Sequence, residues 1–157
     1  MNSKYIDLEI QGGMIRRFTD LVLDYTGTLS KDGILLPGVA ERLEHISSGL
    51  RITIMTADTF GMAADQTKGL PLDFRIIGTG IEKADAVLMM GGENVIAIGN
   101  GRNDVPMMGV AGLKIAVMGP EGVSGELVRV ADVVVCDIRD ALDLIIHTLR
   151  LKATLRD

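Results

Sequence analysis

The sequence is short of several residue types, and each shortage narrows the possible structure. One of its 157 residues is cysteine, Cys136, so no disulfide can form within the chain. A single cysteine is typical of a reducing compartment, and we expect the protein in the cytoplasm. Aromatic residues make up only 3% of the chain, and tryptophan is absent. The core must therefore be built mainly from aliphatic side chains and methionine.

Long apolar runs and blocks of positive charge are also missing. No stretch approaches the roughly 18 apolar residues of a membrane helix, and the N-terminal MNSKYIDLEI carries charges where a signal peptide has an apolar core. Lys and Arg never form a block of more than two residues, and the formal net charge is −5. These features argue against a membrane or nucleic acid as the main partner. No linker or repeat interrupts the chain, so we expect one domain over residues 1–157.

Short apolar runs alternate with stretches of helical pattern. The apolar runs predict strands that are covered on both faces: Leu21–Asp24, Arg51–Thr56, Phe74–Ile77, Val95–Gly99, Lys114–Met118 and Val133–Cys136. The predicted helices are Gly38–Ser48, Thr59–Lys68, Ile81–Met90, Asp104–Ala111, Val123–Val130 and Asp137–Leu149. This alternation predicts an α/β fold with a doubly wound, mainly parallel Rossmann-like sheet and helices on both faces.

Three segments lie outside that alternation. Residues 4–18 alternate apolar and polar side chains around Gly12-Gly13, which predicts a small hairpin. Residues 30–36 are too short for more than a turn or flap. We expect the end of the chain, within residues 137–157, to be partly a frayed tail.

Polar residues follow the predicted strands at their carboxyl ends, where such sheets place their functional groups. Asp24 ends the first strand, Thr56 the second, and Asn100 and Asp104 follow the fourth. Lys83 lies in the helix after the third. This combination suits phosphoryl transfer, because an ionised aspartate can attack phosphorus once a cation cancels its repulsion from the phosphate.

The remaining groups fit the same chemistry. Mg²⁺ would bridge the nucleophile and a phosphate oxygen, and Lys83 would add a fixed positive charge. Thr56 and the backbone amides around Gly27 would bind the equatorial phosphate oxygens. Gly27 lets the backbone approach the phosphate without a Cβ in the way. Asp104, with Asn100 or Asn103, would complete the oxygen shell of the metal.

Four segments, DYTGTLS, TIMTADT, EKADAV and IGNGRNDVPMM, occur in this order over residues 20–108. Together they resemble the motifs of the haloacid dehalogenase (HAD) superfamily, and the first is close to the Asp-Lys-Thr-Gly-Thr signature of P-type ATPases. The resemblance implies a HAD-type phosphohydrolase that depends on magnesium and forms a phospho-aspartate at Asp24, acting on a phosphorylated substrate of unknown identity.

The resemblance also implies a role for each matching residue. The catalytic residues would be Asp24, Thr26, Thr56 and Lys83. Phosphate would be bound by Gly27, Thr56, Ala57, Lys83 and Asn103. The magnesium ligands would be Asp24, the backbone carbonyl of Thr26, Asn100 and Asp104.

The chain departs from the superfamily pattern at three points. Thr26 stands where most HAD phosphatases have an aspartate that acts as general acid and base, so we expect slow turnover and a long-lived phospho-Asp24. Asn100 replaces a further aspartate, so we expect weaker magnesium binding. The intervals between the motifs leave no room for a cap domain. Capless members have open sites, so we expect a large substrate or a homo-oligomer whose neighbouring copy covers the site.

Thr26 and Asn100 also keep a second function open. The chain would then be a vestigial domain, like the phosphorylation domain of a P-type ATPase, that acts as a binding or regulatory module with little turnover. A two-component receiver domain is disfavoured, because its phosphorylated aspartate follows the acidic metal residues. Two roles stay open for Asp58, a charge in the first turn of a helix or a site residue. Met89, Met90, Met107 and Met108 are expected in the core or an interface.

Overall fold

The computed structural model describes residues 4–157. Over these residues the chain forms ten strands and seven α-helices. The strands are β1 (Ile6–Ile10), β2 (Met14–Phe18), β3 (Asp20–Leu23), β4 (Ser30–Lys31), β5 (Ile34–Leu35), β6 (Arg51–Thr56), β7 (Asp73–Ile76), β8 (Val95–Gly99), β9 (Leu113–Val117) and β10 (Val133–Val135). The helices are α1 (Val39–Ile46), α2 (Ala63–Gln66), α3 (Gly80–Met89), α4 (Val105–Val110), α5 (Gly125–Val130), α6 (Ile138–Ile146) and α7 (Thr148–Leu155).

Six strands form one sheet in the order β10-β9-β8-β3-β6-β7, and every neighbouring pair is parallel. The predicted doubly wound parallel sheet is therefore confirmed. The chain leaves β3 toward β6 and β7 on one side and later returns to β8 on the other. Strand order thus switches beside β3, and a crevice opens beyond the carboxyl ends of the strands at such a point. Asp24 and Asn100 follow β3 and β8 at this crevice.

Helices cover both faces of the sheet, and the pleat of β3 sends side chains to each. Leu21 and Leu23 join the core beneath α1 and α6, whereas Val22 joins the core beneath α3, α4 and α5. Met107 and Met108 fill that second core, as predicted. Met89 does not, because it lies on the outer face of α3 with 91% of its surface exposed.

Two small hairpins accompany the main sheet. Strands β1 and β2 pair antiparallel around a turn at Gln11–Gly13, which confirms the predicted N-terminal hairpin. Strands β4 and β5 form a short flap between β3 and α1. At the flap tip, Asp32 and Gly33 have φ values of 51° and 83°. Two consecutive positive φ values characterise the tight type I′ hairpin turn.

Two predicted helices differ from the structure for reasons of backbone geometry. The helix predicted from Thr59 begins only at Ala63, because Asp58 and Gly61 have φ values of 50° and 69°, which a right-handed helix cannot include. The last predicted helix breaks at His147, whose ψ is 71°.

The expectation of a frayed tail is wrong. After the break at His147 the chain continues as α7, which buries Leu151 completely and pairs Lys152 with Glu9 of β1. The N-terminal hairpin therefore provides the surface against which this last helix packs. None of the helices in residues 4–157 has the length and apolar character needed to cross a membrane.

An ion pair joins α1 to α6 and makes the stability of the fold depend on pH. Arg42 donates from Nε to Asp143 Oδ1 at 2.8 Å and from Nη2 to Oδ2 at 3.1 Å. The guanidinium holds the pKa of Asp143 below its ordinary value. The stabilisation is therefore fully present above the ordinary pKa of an aspartate, about 4, and is lost as the pH falls through the lowered value.

We expect Asp143→Asn to lower the urea midpoint of unfolding at pH 7, and the difference from wild type to shrink toward about pH 3. Asp7→Asn is the matched control, because Asp7 forms a similar two-bond pair with Arg17 that is more exposed. Its effect at pH 7 should be smaller, since exposed pairs contribute little. An Asp143→Asn deficit that does not change with pH would contradict this account.

Candidate active site

Asp24 lies at the end of β3, held in register with the sheet although the strand has ended. Its backbone N–H donates to the Ile98 carbonyl in β8 at 3.0 Å. Only 5% of Asp24 is exposed. The apolar strand therefore delivers a nearly buried carboxylate to the crevice at the switch in strand order.

Lys83 approaches this carboxylate from α3. The helix start is fixed by a capping box, in which Glu82 N donates to Thr79 Oγ1 at 3.2 Å and Thr79 N donates to Glu82 Oε2 at 3.0 Å. The first turn of the helix then directs Lys83 inward, where it is completely buried. Its Nζ donates to Asp24 Oδ1 at 2.8 Å and to Asp104 Oδ1 at 2.7 Å.

These three side chains form a buried ionic triad with two negative groups and one positive group. Burial raises the pKa of Asp24 to about 7, the Asp104 charge adds to the rise, and Lys83 opposes it. Burial by itself lowers the pKa of Lys83, but the two carboxylates outweigh burial and raise it. The lysine therefore stays protonated, and its charge is available to an anionic ligand at the Asp24 carboxylate.

Asp104 organises the loop after β8 from behind the triad. It is fully buried, and its Oδ2 accepts hydrogen bonds from the backbone N–H groups of Asn100 and Gly101 at 3.1 and 3.0 Å. Its other oxygen faces Lys83. A Cβ at Gly99 would collide with the Asp104 side chain, so this packing requires glycine there. Both carboxylate oxygens of Asp104, a predicted metal ligand, are thus engaged by protein donors.

In front of Asp24 lies an open cleft of about 250 Å³. Its lining consists of Asp24, Thr26, Thr56, Ala57, Thr59, Asn100, Gly101, Asn103 and Glu121. Most of the predicted site residues therefore meet at one cleft, with Lys83 and Asp104 directly behind it. A larger cleft, of about 430 Å³, lies between the N-terminal hairpin, α7 and the start of β9, and contains none of the predicted site residues.

Gly27 occupies a position that only glycine can fill easily. Its φ is 74°, in the left-handed region. A Cβ at this position would also lie 2.6 Å from Asn100 Nδ2 and 3.1 Å from Glu121 Cβ. The turn after Asp24 therefore packs closely against the two neighbouring loops, and the approach of this backbone to a phosphate stays a prediction.

Three residues of the cleft lining, Thr59, Gly101 and Glu121, were not among the predicted site residues, and neither was Thr28, which contacts Asp24. The buried Thr28 hydroxyl lies 3.2 Å from Asp24 Oδ2 and 2.9 Å from Asn100 Oδ1, and its single proton can serve one of them at a time. Its position as the second Thr of Thr-Gly-Thr could have signalled this role. Glu121 comes from the loop after β9. The only feature of the sequence that could have indicated a site role for it is its position just after a predicted strand.

Thr56 and Asp58 have different surroundings. Thr56 lines the cleft, and its Oγ1 accepts a hydrogen bond from the Asp58 backbone N–H at 2.9 Å. Asp58 points its own side chain toward α2, where Oδ1 accepts from Ala63 N at 2.9 Å. The side chain of Asp58 therefore caps the start of α2, while Thr56 remains beside Asp24.

The oxygen atoms near Asp24 suit a hard cation. Asn100 donates from Nδ2 to the Gly122 carbonyl at 3.1 Å, and its Oδ1 accepts from the Thr28 hydroxyl, which also lies within reach of Asp24. Within residues 4–157 no three His, Cys, Asp or Glu side chains are grouped so that they could hold a metal ion. A metal would therefore rely on one carboxylate, neutral oxygens, water and ligand. Mg²⁺ is bound in this way in many sites, whereas softer metals require His or Cys.

Comparison with known proteins gives a match over the part of the chain that carries the third and fourth motifs. Residues 74–134 match the family model described as haloacid dehalogenase-like hydrolase. An uncharacterized protein of Methanocaldococcus jannaschii is 49% identical over 65 residues, which are 41% of this chain and 70% of that relative. The chain belongs to the haloacid dehalogenase-like hydrolases.

Solved structures share the fold at low sequence identity. The chain is similar to 3-deoxy-D-manno-octulosonate 8-phosphate phosphatase from Moraxella catarrhalis, with a TM-score of 0.70 and 19% identity over 87% of this chain and 90% of that one. A putative phosphatase of the same name from Vibrio cholerae has a TM-score of 0.68 and 20% identity, over 88% of this chain and 87% of that one. A phosphoserine phosphatase in its apo form has a TM-score of 0.64 and 16% identity, over 80% of this chain and 98% of that one.

The triad predicts opposite consequences for two substitutions. Lys83→Met should lower the free energy of unfolding by about 3–5 kcal/mol, because it leaves two buried carboxylates without a cation. Asp24→Asn should change the free energy of unfolding little or raise it. Lys83 still pairs with Asp104 in this variant, and one of the two carboxylates that repel each other is gone. Urea unfolding at pH 7 without magnesium measures both.

Lys68→Met, which removes an exposed lysine, is the control for the loss of a positive charge. A destabilisation by Asp24→Asn as large as that by Lys83→Met would contradict the charge balance described for the triad.

Proposed function

We propose that the chain is a magnesium-dependent phosphohydrolase that works through a phospho-aspartate at Asp24 and turns over slowly. The observation that carries this proposal is the buried triad, in which Lys83 holds Asp24 at 2.8 Å beside an open cleft. A carboxylate fixed by a lysine and facing solvent on one side is suited to attack a phosphorus atom. The family to which the chain belongs supports the same chemistry.

In the first step an oxygen of Asp24 attacks phosphorus, the phosphorus–oxygen bond to the substrate breaks, and the electron pair leaves with the substrate oxygen as a phenolate or as an alkoxide that takes a proton from water. Lys83 supplies positive charge to the nucleophile and to the phosphoryl group. Thr56, Asn103 and the backbone at Gly27 and Ala57 bind phosphoryl oxygens, where the transition-state charge lies.

Magnesium, held by Asp24, Asn100 and the backbone carbonyl of Thr26, would neutralise charge between the carboxylate and the phosphate. The Moraxella catarrhalis phosphatase is in complex with magnesium, which supports the choice of metal. We propose that Asp104 acts on this site indirectly, since its oxygens already bind Lys83 and the loop amides.

In the second step water attacks the phospho-aspartate, Asp24 leaves as a carboxylate, and inorganic phosphate is released. Thr26 lines the cleft next to Asp24, and its hydroxyl cannot take the proton from water at neutral pH. We therefore propose that this second step limits turnover. The names of the structural neighbours, which describe phosphatases of a sugar-acid phosphate and of phosphoserine, favour a phosphate monoester as the substrate.

A second candidate is a binding or regulatory module with little turnover, resembling a P-type-ATPase phosphorylation domain. The contacts of Asn100 favour it, because its side chain is already bonded at both ends, to Thr28 and to the Gly122 carbonyl. Such a module would bind phosphate without releasing product. The two candidates differ in whether turnover exceeds that of a variant lacking the nucleophile.

The first test is phosphate release from p-nitrophenyl phosphate with and without Mg²⁺. We expect wild type to show magnesium-dependent release and Asp24→Asn to lose it by about 10³-fold or more, since removal of a nucleophile has effects of that size or larger. Asp85→Asn, an exposed aspartate on α3, is the matched control and should behave as wild type. Release that persists in Asp24→Asn, or that ignores magnesium, would contradict the proposal.

The second test restores the missing acid and base. Thr26→Asp should raise kcat by about 10²-fold or more, because a positioned general base contributes effects of that order. Thr26→Asn has a similar shape but cannot accept a proton, and it should not accelerate turnover. Steady-state kinetics with the same aryl phosphate measures both. An equal rise in the two variants would show that shape rather than proton transfer is responsible.

A further inference from the structure

One carboxylate besides Asp24 lines the cleft in the described part of the chain, and it belongs to Glu121. It comes from the loop between β9 and α5, far in sequence from the four motifs. The following inference rests on the proposed function and concerns its second step, for which Thr26 offers no base.

The loop that carries Glu121 is packed directly on the turn after Asp24. A Cβ at Gly119 would lie 2.5 Å from the Gly27 carbonyl oxygen, and a Cβ at Gly27 would lie 3.1 Å from Glu121 Cβ. The loop closes on itself through a hydrogen bond from Gly122 N to Gly119 O at 3.0 Å. Glu121 is therefore fixed next to Gly27, the neighbour of Thr26.

A second contact joins the Glu121 carboxylate, which lines the cleft, to the flap. Its Oε2 accepts a hydrogen bond from the backbone N–H of Asp32, at the tip of the flap, at 3.1 Å. Its Oε1 accepts from no residue in the described part of the chain, so one oxygen remains free to accept a proton. The carboxylate is also largely exposed, which lets water reach it.

The flap itself does not depend on this contact. Tyr25 donates from its hydroxyl to the Gly33 carbonyl at 2.8 Å, and Leu35 N donates to Gln66 Oε1 at 3.1 Å. These bonds hold the flap from its inner side and its base. Glu121 is thus not required as a structural anchor, and its place in the cleft calls for another explanation.

We propose that Glu121 is the general base for hydrolysis of phospho-Asp24. As the water oxygen forms its bond to phosphorus, one water proton moves to the Glu121 carboxylate. The bond between phosphorus and the Asp24 oxygen breaks, and its electron pair returns to Asp24 as carboxylate. Inorganic phosphate leaves, and Glu121 gives the proton to solvent. A carboxylate on the loop after β9 thereby does part of what an aspartate at position 26 would do, and the second step stays slow because this base is not next to Asp24 in the chain.

Glutamine at this position separates proton transfer from the flap contact. Glu121→Gln keeps an oxygen that can accept from Asp32 N but removes the basic carboxylate, whereas Glu121→Ala removes both. Glu126→Gln is the control, because Glu126 is an exposed carboxylate on the following helix that lies outside the cleft lining. All are assayed with p-nitrophenyl phosphate, whose phenolate leaves without an acid.

We expect Glu121→Gln to lower kcat by about 10²-fold, the order of a general base. Its kcat/KM should stay within about threefold of wild type, since kcat/KM reports steps up to the first irreversible one, the loss of phenolate. Mass spectrometry after acid quenching should show more chains phosphorylated on Asp24 than in wild type. Thr26→Asp in the Glu121→Gln background should restore turnover.

Three outcomes would overturn the inference. A kcat of Glu121→Gln near that of wild type, when wild-type turnover requires Asp24, would show that another group takes the proton. Equal losses in kcat and kcat/KM would place Glu121 in substrate binding. An effect confined to Glu121→Ala would reduce its role to the flap contact. Absence of Asp24-dependent turnover in wild type would instead overturn the proposed function, and this inference with it.

Discussion

Lys83 lies between two buried carboxylates, and the arrangement of the cleft depends on that contact. It joins three separate parts of the fold: the end of β3, the first turn of α3 and the loop after β8. Three charges in a nearly dry environment are stable only when their geometry is close to ideal. The contact therefore fixes the distance between the strand that carries Asp24 and the loop that carries Asn100.

The strand order explains why groups so distant in sequence meet there. Because β3 is flanked by β6 and β8, the loops that follow these strands open at the same edge on either side of Asp24. Thr56 reaches the cleft from one side and Asn100 from the other. Glycines at positions 27, 99 and 119 let the loops pack more closely than side chains would allow. The sheet sets the positions, and the loops bring the polar atoms within bonding range.

Much of this could be predicted from the chain because its signals are local. Strands β6 and β8 were predicted with their observed bounds, since each is a short run rich in β-branched residues that is followed by turn-forming and polar residues. The convergence of Asp24, Thr56 and Asn100 follows from the rule that parallel strands end at one edge. The contacts of Asp104 could not be predicted. Whether its oxygens are free for a metal depends on which donors surround them, and here Lys83 and two backbone amides occupy both oxygens.

Other features depend on contacts between distant segments and leave little trace in sequence. Glu121 lies in a Gly-Pro-Glu-Gly segment, which in sequence is typical of a surface turn. Only the packing of this loop on Gly27 brings Glu121 to the cleft. Helix α7 follows a weak apolar pattern, and its burial depends on the N-terminal hairpin. The late start of α2 results from the left-handed backbone at Asp58 and Gly61, which propensities alone do not reveal.

The position of β3 also affects how the protein can fold as it is synthesised. This strand is synthesised before both of its neighbours, β6 and β8, and Asp20 pairs with Arg51 on one side and Val95 on the other. Until β8 exists, one edge of an entirely apolar run at Leu21–Leu23 has no partner. Pairings over such sequence distances slow folding and leave aggregation-prone edges exposed. The strand that leads to Asp24 is thus synthesised before both of the strands that enclose it.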